Sequence, residues 1–148
     1  KGGREVLDVL KLYRTKLNIK LTVISNLSTD SYATHTNKDD VNCIKIKLRE
    51  NSSWITYHKG LQNHRVLEIL KTAELALMPS YAETFGYFVL EAQAMGCPLI
   101  TTDIRALPEI NDKEIGWLIN VPKDKYGNGI LGSKNNTKIF SETIIHGL

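Results

Sequence analysis

The stretch LMPSYAETFGYFVLEAQAMGCPLIT, residues 77–101, decides how this chain is read. An apolar strand end, Leu77-Met78-Pro79-Ser80, runs into a short polar loop, and the loop into an apolar helix that Gly96 closes as its C-terminal glycine. A second strand-like run, Cys97 to Thr102, follows at once. Strand, loop, helix and strand in such close succession form the crossover unit of a parallel sheet. Two carboxylates interrupt the pattern, Glu83 in the loop and Glu91 inside the helix.

The same alternation extends in both directions. Upstream, Val6, Leu7, Leu10, Tyr13 and Leu17 fall at helical spacing behind Gly2 and Gly3, and residues 20–25, KLTVIS, read as a buried β-branched strand. Residues 28–40 are polar and aperiodic, and 40–50 set Val41, Ile44 and Leu48 on one side of a helix. A strand over 54–60 ends on Gly60, and a helix over 62–73 takes Asn63 as its cap. Downstream come a short helix near Pro108, the strand Gly116 to Ile119, an exposed loop from Lys123 and a last helix from Ile139. Apolar strands alternating with helices predict the α/β class with a doubly wound parallel sheet.

The totals agree with one domain over residues 1–148, since the 148 residues are 42% hydrophobic, enough for one core and too few for two. A net charge of +3 suits anionic small molecules and falls short of a nucleic-acid footprint. Cys43 and Cys97 stand far apart without clustered histidines, which argues against a disulfide scaffold or a structural zinc and for a reducing compartment. No run reaches the roughly 20 apolar residues of a membrane span. The chain opens on Lys1 rather than methionine and closes on Leu148 in a helix scarcely begun, so it reads as a piece of something larger.

In open parallel sheets ligands gather beyond the carboxyl ends of the strands, which singles out residues 1–3, 25–27, 80–86 and 101–107. Glu83 and Glu91 sit on different kinds of backbone, roughly 10 Å apart by helical rise, too far to share a proton. Spacing sets Glu91 on one helix side with Tyr87, Phe88, Ala94 and Met95, an apolar face where a carboxylate needs donors. A vicinal diol such as ribose supplies two; a lysine or solvent at the helix edge is the other reading. Gly86, where the helix begins, either admits a ligand to free backbone amides or simply serves the turn. His58 and His64 flank a strand end and either contact a base or, without a carboxylate neighbour in sequence, serve as surface or packing residues; Cys97 reads as a small buried hydrophobe.

Glu83-Thr84-Phe85-Gly86-Tyr87-Phe88-Val89-Leu90-Glu91-Ala92, set between Met78-Pro79-Ser80 and Ala94-Met95-Gly96-Cys97-Pro98-Leu99-Ile100, resembles the E-x7-E segment of retaining GT-B glycosyltransferases of the group 1 family. Lys1-Gly2-Gly3, Lys59-Gly60, Leu107-Pro108-Glu109-Ile110 and Gly116-Trp117-Leu118-Ile119 resemble further family signatures, so the likeness runs to about Pro122. It implies the C-terminal, Rossmann-like half of a GT-B fold, with the acceptor-binding N-terminal domain and the first strand outside this chain. It further implies that Glu91 holds the ribose of a nucleotide-diphosphate sugar, that Lys1 and Gly2 lie at its diphosphate, and that Thr84, Phe85, Gly86 and Tyr87 line phosphate and sugar. Glu83 would act as the catalytic residue beside the donor sugar.

The implied activity is transfer of that sugar, with retention, to a glycan, lipid or other acceptor such as a surface polysaccharide. No cofactor and no metal would be needed, and the isolated piece would be inactive. The implied setting is cytoplasmic, with peripheral membrane association of the full-length protein at the inner face and no nucleic acid as partner. Three departures stand out: the family's Gly-Arg before Lys-Gly is absent, Ser25-Asn26 replaces a glycine, and Ile104-Arg105-Ala106 replaces a small-residue loop. Arg105 is either a phosphate contact or a solvent-side loop cap. The rival readings are a non-catalytic nucleotide-binding doubly wound domain and a GT-B nucleotide-sugar epimerase.

Overall fold

A computed structural model describes residues 2–29, 36–111, 114–130 and 136–147. Lys1, and parts of the two loops expected over 28–40 and after Lys123, lie outside the described residues. The elements alternate as the periodicity predicts: α1 (Gly3–Tyr13), β1 (Leu21–Ile24), α2 (Lys38–Glu50), β2 (Ile55–His58), α3 (Asn63–Thr72), β3 (Ala76–Met78), α4 (Tyr87–Ala94), β4 (Leu99–Thr102), α5 (Leu107–Ile110), β5 (Trp117–Ile119) and α6 (Asn136–Gly147). Each pairing of these strands is parallel, with Leu21 opposite Ile55, Ala76 opposite Leu99 and Ile100 opposite Trp117. The fold is α/β and Rossmann-like, but the sheet is in two pieces. Among the described residues β1 pairs only with β2, and β3, β4 and β5 form a separate three-stranded sheet.

Burial follows that division. The middle strand β4, Leu-Ile-Thr-Thr, is buried at all four positions, whereas Leu21, Val23 and Ile24 of β1 are only half-buried and Thr22 is exposed. α1 turns Val6, Leu7, Val9 and Leu10 inward and packs against α6, whose Phe140 and Ile144 are fully buried. That inward set includes Val9, which the spacing analysis omits, and excludes Leu17. The helix stops at Tyr13, whose carbonyl accepts from the amides of both Lys16 and Leu17 in a tightened last turn.

The helix starts differ in kind. α2 carries a full capping box: the Asp40 amide donates to Asn37 Oδ1 at 2.9 Å and the Asn37 amide donates to Asp40 Oδ2 at 3.1 Å. α1, α3 and α4 have no side-chain cap at all. For α3 this corrects the expectation for Asn63: Gln62 occupies the N-cap position, and Asn63 is the first helical residue with its side chain engaged elsewhere. Gly96 does end α4 in the left-handed region, at φ +71. α6 begins at Asn136, ahead of the predicted start, because Asn136 is buried and bound to Tyr81 and to the Ile130 carbonyl.

A buried asparagine joins the last two strands. Asn111 Nδ2 donates to Thr101 Oγ1 at 3.1 Å and to the Trp117 carbonyl at 3.2 Å. Gly116 lies so close that a Cβ there would stand 2.2 Å from Asn111 Oδ1 and 2.5 Å from the Leu99 carbonyl oxygen. The second of these is strand backbone and cannot swing aside. Gly116→Ala is therefore expected to cost about 2 kcal/mol or more in urea unfolding, by overpacking. Gly3→Ala, whose Cβ would meet nothing within 4 Å, should be neutral within about 0.5 kcal/mol.

Candidate functional site

The loop between β3 and α4 is fixed at its near end by the core beneath it. The Thr102 hydroxyl donates to the Ser80 carbonyl, and both residues are buried. Tyr81, 1% exposed, stacks on Phe140 with ring centroids 6.0 Å apart. Its hydroxyl donates to Glu5 Oε1 at 3.1 Å and accepts from Asn136 Nδ2 at 2.8 Å, while its carbonyl accepts from Gly129. Glu5 belongs to the first turn of α1, so this hydroxyl ties α1, the loop and α6 together. Burial, then the charge of Glu5 and the bond to it, push the phenol above the usual tyrosine range, and the Asn136 bond pulls slightly back.

Gly2 makes the second tie between α1 and this loop. Its amide donates to the Pro79 carbonyl at 2.6 Å, and a Cβ at Gly2 would stand 2.7 Å from that oxygen and 2.9 Å from the Phe140 ring. What Gly2 contributes is close approach. Gly3 faces open space, and the helix start behind it has no side-chain cap. α4 starts a few residues past Pro79, again without a side-chain cap, from Gly86 in the left-handed region at φ +92. A side chain at Gly86 would also strike Leu107 Cδ2, at 2.6 Å from a built Cβ. Two uncapped helix starts thus flank the loop 79–86, and the positive ends of helix dipoles favour anions there.

Along the loop, Glu83 is half-buried and its Oε1 accepts from the Thr84 amide at 3.1 Å. Thr84, Phe85 and Tyr87 are exposed, and the rings of Phe85 and Tyr87 tilt against each other at 5.2 Å. The expected apolar face around Glu91 needs correction. Val89 and Ala92 are the buried residues of α4, while Tyr87 is 73% exposed and Leu90 also faces out. A short helix that is apolar nearly all round gives spacing little to choose between its sides. Glu91 is half-buried on the flank nearest α3, where its Oε1 accepts from Asn63 Nδ2 at 2.6 Å.

Other candidates have local partners. Arg105, in the left-handed region at φ +49, donates to the Tyr126 carbonyl at 2.9 Å, the loop-bracing alternative of the two read from sequence. Asp103 accepts from the Val121 amide and from Lys123 Nζ. A shallow groove of about 300 Å³ is lined by His58, Leu61, Arg65, Glu68, Ile69 and Thr72, with no residue of the E-x7-E segment in it. Cys97 is buried as expected, and burial raises its thiol pKa. Among the described residues no cluster of three or more His, Cys, Asp or Glu could hold a metal, and no helix is long and apolar enough to cross a membrane. Sequence reasoning missed Glu5, Asn136 and Thr102 as supports of the loop, because each reaches it across the sheet or from a distant helix.

A solved structure titled "Crystal structure of GtfA/B complex" superposes with a TM-score of 0.69 at 20% identity, over 99% of this chain and 26% of that one. The fold is thus a Rossmann-like unit of the GT-B kind. The sequence pattern described as "Glycosyl transferases group 1" matches residues 1–145, and the chain belongs to that family. Among curated relatives, the chain is 34% identical to a D-inositol 3-phosphate glycosyltransferase of Arthrobacter sp. (strain FB24) over 67 residues, 45% of this chain and 16% of that protein. It is 30% identical to an "Uncharacterized 41.2 kDa protein in cps region" of Klebsiella pneumoniae over 101 residues, 68% of this chain and 28% of that protein. The chain spans well under a third of the length of these relatives.

Because the neutral phenol of Tyr81 is favoured by the fold, its contribution is complete below the unfolded-chain pKa of about 10 and is lost as pH rises beyond it. Denaturant unfolding between pH 8 and 11 should show stability falling above about pH 10 in the wild type. Tyr81→Phe should be about 1–2 kcal/mol less stable at pH 8 and should lack the Tyr81 part of that alkaline fall.

Proposed function

We propose that this glycosyltransferase domain binds the nucleotide-diphosphate sugar donor and forms the C-terminal half of a retaining GT-B enzyme. The observation that carries the reading is the pair of uncapped helix starts flanking the loop 79–86. Backbone amides left without side-chain acceptors, at the positive ends of two helix dipoles, suit a diphosphate. Lys1, at the head of α1 in sequence, would add an ammonium beside Gly2. Exposed Thr84, Phe85 and Tyr87 with close-packed Gly86 would line phosphate and sugar, Glu91 would accept from the ribose hydroxyls, and Glu83 would orient the donor sugar. In the transfer the bond between the anomeric carbon and the phosphate oxygen breaks, and the nucleoside diphosphate leaves with the electron pair. An acceptor hydroxyl bonds to that carbon on the same face and passes its proton to the oxygen of the departing diphosphate. Charge develops on the leaving diphosphate, and amides and cations held ready there lower the barrier without calling on a metal.

The divided sheet supports the domain assignment. α1 starts beside Pro79, at the carboxyl end of β3, as a crossover helix does after a strand parallel to β3. A strand supplied from outside the described residues, paired with β1 on one edge and β3 on the other, would join the sheets in the order β2-β1-strand-β3-β4-β5. The acceptor, a glycan or lipid-linked group, would be bound by a second domain across the cleft, with the enzyme working in the cytoplasm at the membrane's inner face.

The test is calorimetric titration of the full-length protein with UDP, GDP and ADP, beside turnover of the sugar conjugate of whichever binds. Glu91→Ala should weaken binding of that nucleotide about tenfold or more, the loss of charge-assisted bonds to the diol. Glu83→Ala should leave nucleotide affinity within about twofold and lower kcat by about 100-fold or more. Equal loss of nucleotide affinity in both variants would overturn this division of roles.

A further inference from the structure

We infer that Asn63 is the positioning residue for Glu91 and sets the preference of this site for ribose over 2′-deoxyribose, an inference that rests on the donor-site reading above. Glu91 needs a partner that orients its carboxylate without consuming its charge. A lysine or arginine would form an ion pair, take up acceptor sites and compete with the hydroxyls of a diol. Among the described residues the ion pairs are Arg4 with Asp40, Lys47 with Asp8, Arg65 with Glu68, Lys123 with Asp103 and Lys138 with Glu142, and Glu91 takes part in none. Arg65 lies two residues beyond Asn63 on α3, yet its guanidinium is bound to Glu68 at 2.6 Å. The group that reaches Glu91 is instead the neutral amide of Asn63, at 2.6 Å on Oε1.

The consequence follows from the inventory of acceptors. An ionised carboxylate accepts about four hydrogen bonds, and one N–H from Asn63 occupies a single site on one oxygen. Oε2 keeps its full capacity and the charge is undiminished. Asn63 also stands at the first helical position of α3, a ten-residue helix with no side-chain cap and no acidic residue in its first turn. Negative charge beside that helix start is favoured by the dipole, so the carboxylate is held at an orienting end from two directions. Asn63, at the first helical position rather than the cap, anchors α4 to α3 through the carboxylate placed for a diol.

The experiment compares affinities of the full-length protein for UDP, GDP and ADP with those for dUDP, dGDP and dADP, in the wild type, Asn63→Ala and Asn63→Asp, with Glu91→Ala as the benchmark. The wild type should favour the ribonucleotide. Asn63→Ala should lose about tenfold in affinity for the ribonucleotide, with the deoxy form changing by under about twofold, so that the ratio collapses toward that of Glu91→Ala. Asn63→Asp, which turns a like charge on Glu91, should lose the preference at least as fully while thermal unfolding stays near the wild-type value. A ribose preference equal in Asn63→Ala and wild type overturns the inference, and so does equal loss for both sugars, since Asn63 would then only hold α3 in place. A wild type that binds nucleotides without preferring ribose, or binds none, overturns the donor-site reading itself and this inference with it.

Discussion

The close approach of Gly2 to Pro79 is the constraint on which the rest of the site depends. With the Gly2 amide 2.6 Å from the Pro79 carbonyl and no room for a Cβ, the first turn of α1 is held against the mouth of the β3–α4 loop. From that one contact Glu5 is placed to receive the Tyr81 hydroxyl, and Tyr81 in turn to stack on Phe140 and meet Asn136. Loop order at positions 79–81 is therefore a property of the core. Exposed Thr84, Phe85 and Tyr87 hang from a support that does not itself face solvent.

The helices divide by what their first turns are bound to. α2, which lies outside the site, satisfies its own start through Asn37 and Asp40. α1 and α4 do not: their N-caps are Gly2 and Gly86, where a Cβ would meet Pro79 and Leu107, and a glycine cap gives up only about a few tenths of a kcal/mol relative to a side-chain cap. α3 has an asparagine one residue too late to cap and directed at Glu91.

Much of this was legible in the sequence, for physical reasons that can be named. Strands and helices alternate with clear periods, and the run from Leu77 to Thr101 carries both periods with its stop signals, so element order and parallel pairing could be read directly. Glu91 was legible as a carboxylate in need of donors, but its donor was not. Asn63 looked like a cap from local spacing, and only the packing of α3 on α4 turns it to Glu91. The side of α4 that faces inward was likewise hidden, because nearly every residue of that helix is apolar or small. The Tyr81 network joins positions 76 and 55 residues apart in sequence, a separation at which no periodicity operates. The break between β1–β2 and β3–β5 was not legible, because strand periodicity says nothing of which edges pair.

That break has a consequence for handling the molecule. β1 and β3 each pair on one edge among the described residues, and an open edge of parallel strand is a template for another chain. The side chains of β1, Leu-Thr-Val-Ile, include no charge, proline or bulge that would blunt such pairing. Prepared as these residues alone, the protein is inclined to self-associate edge to edge at high concentration, so its solubility is set by two strand edges as much as by its surface charge.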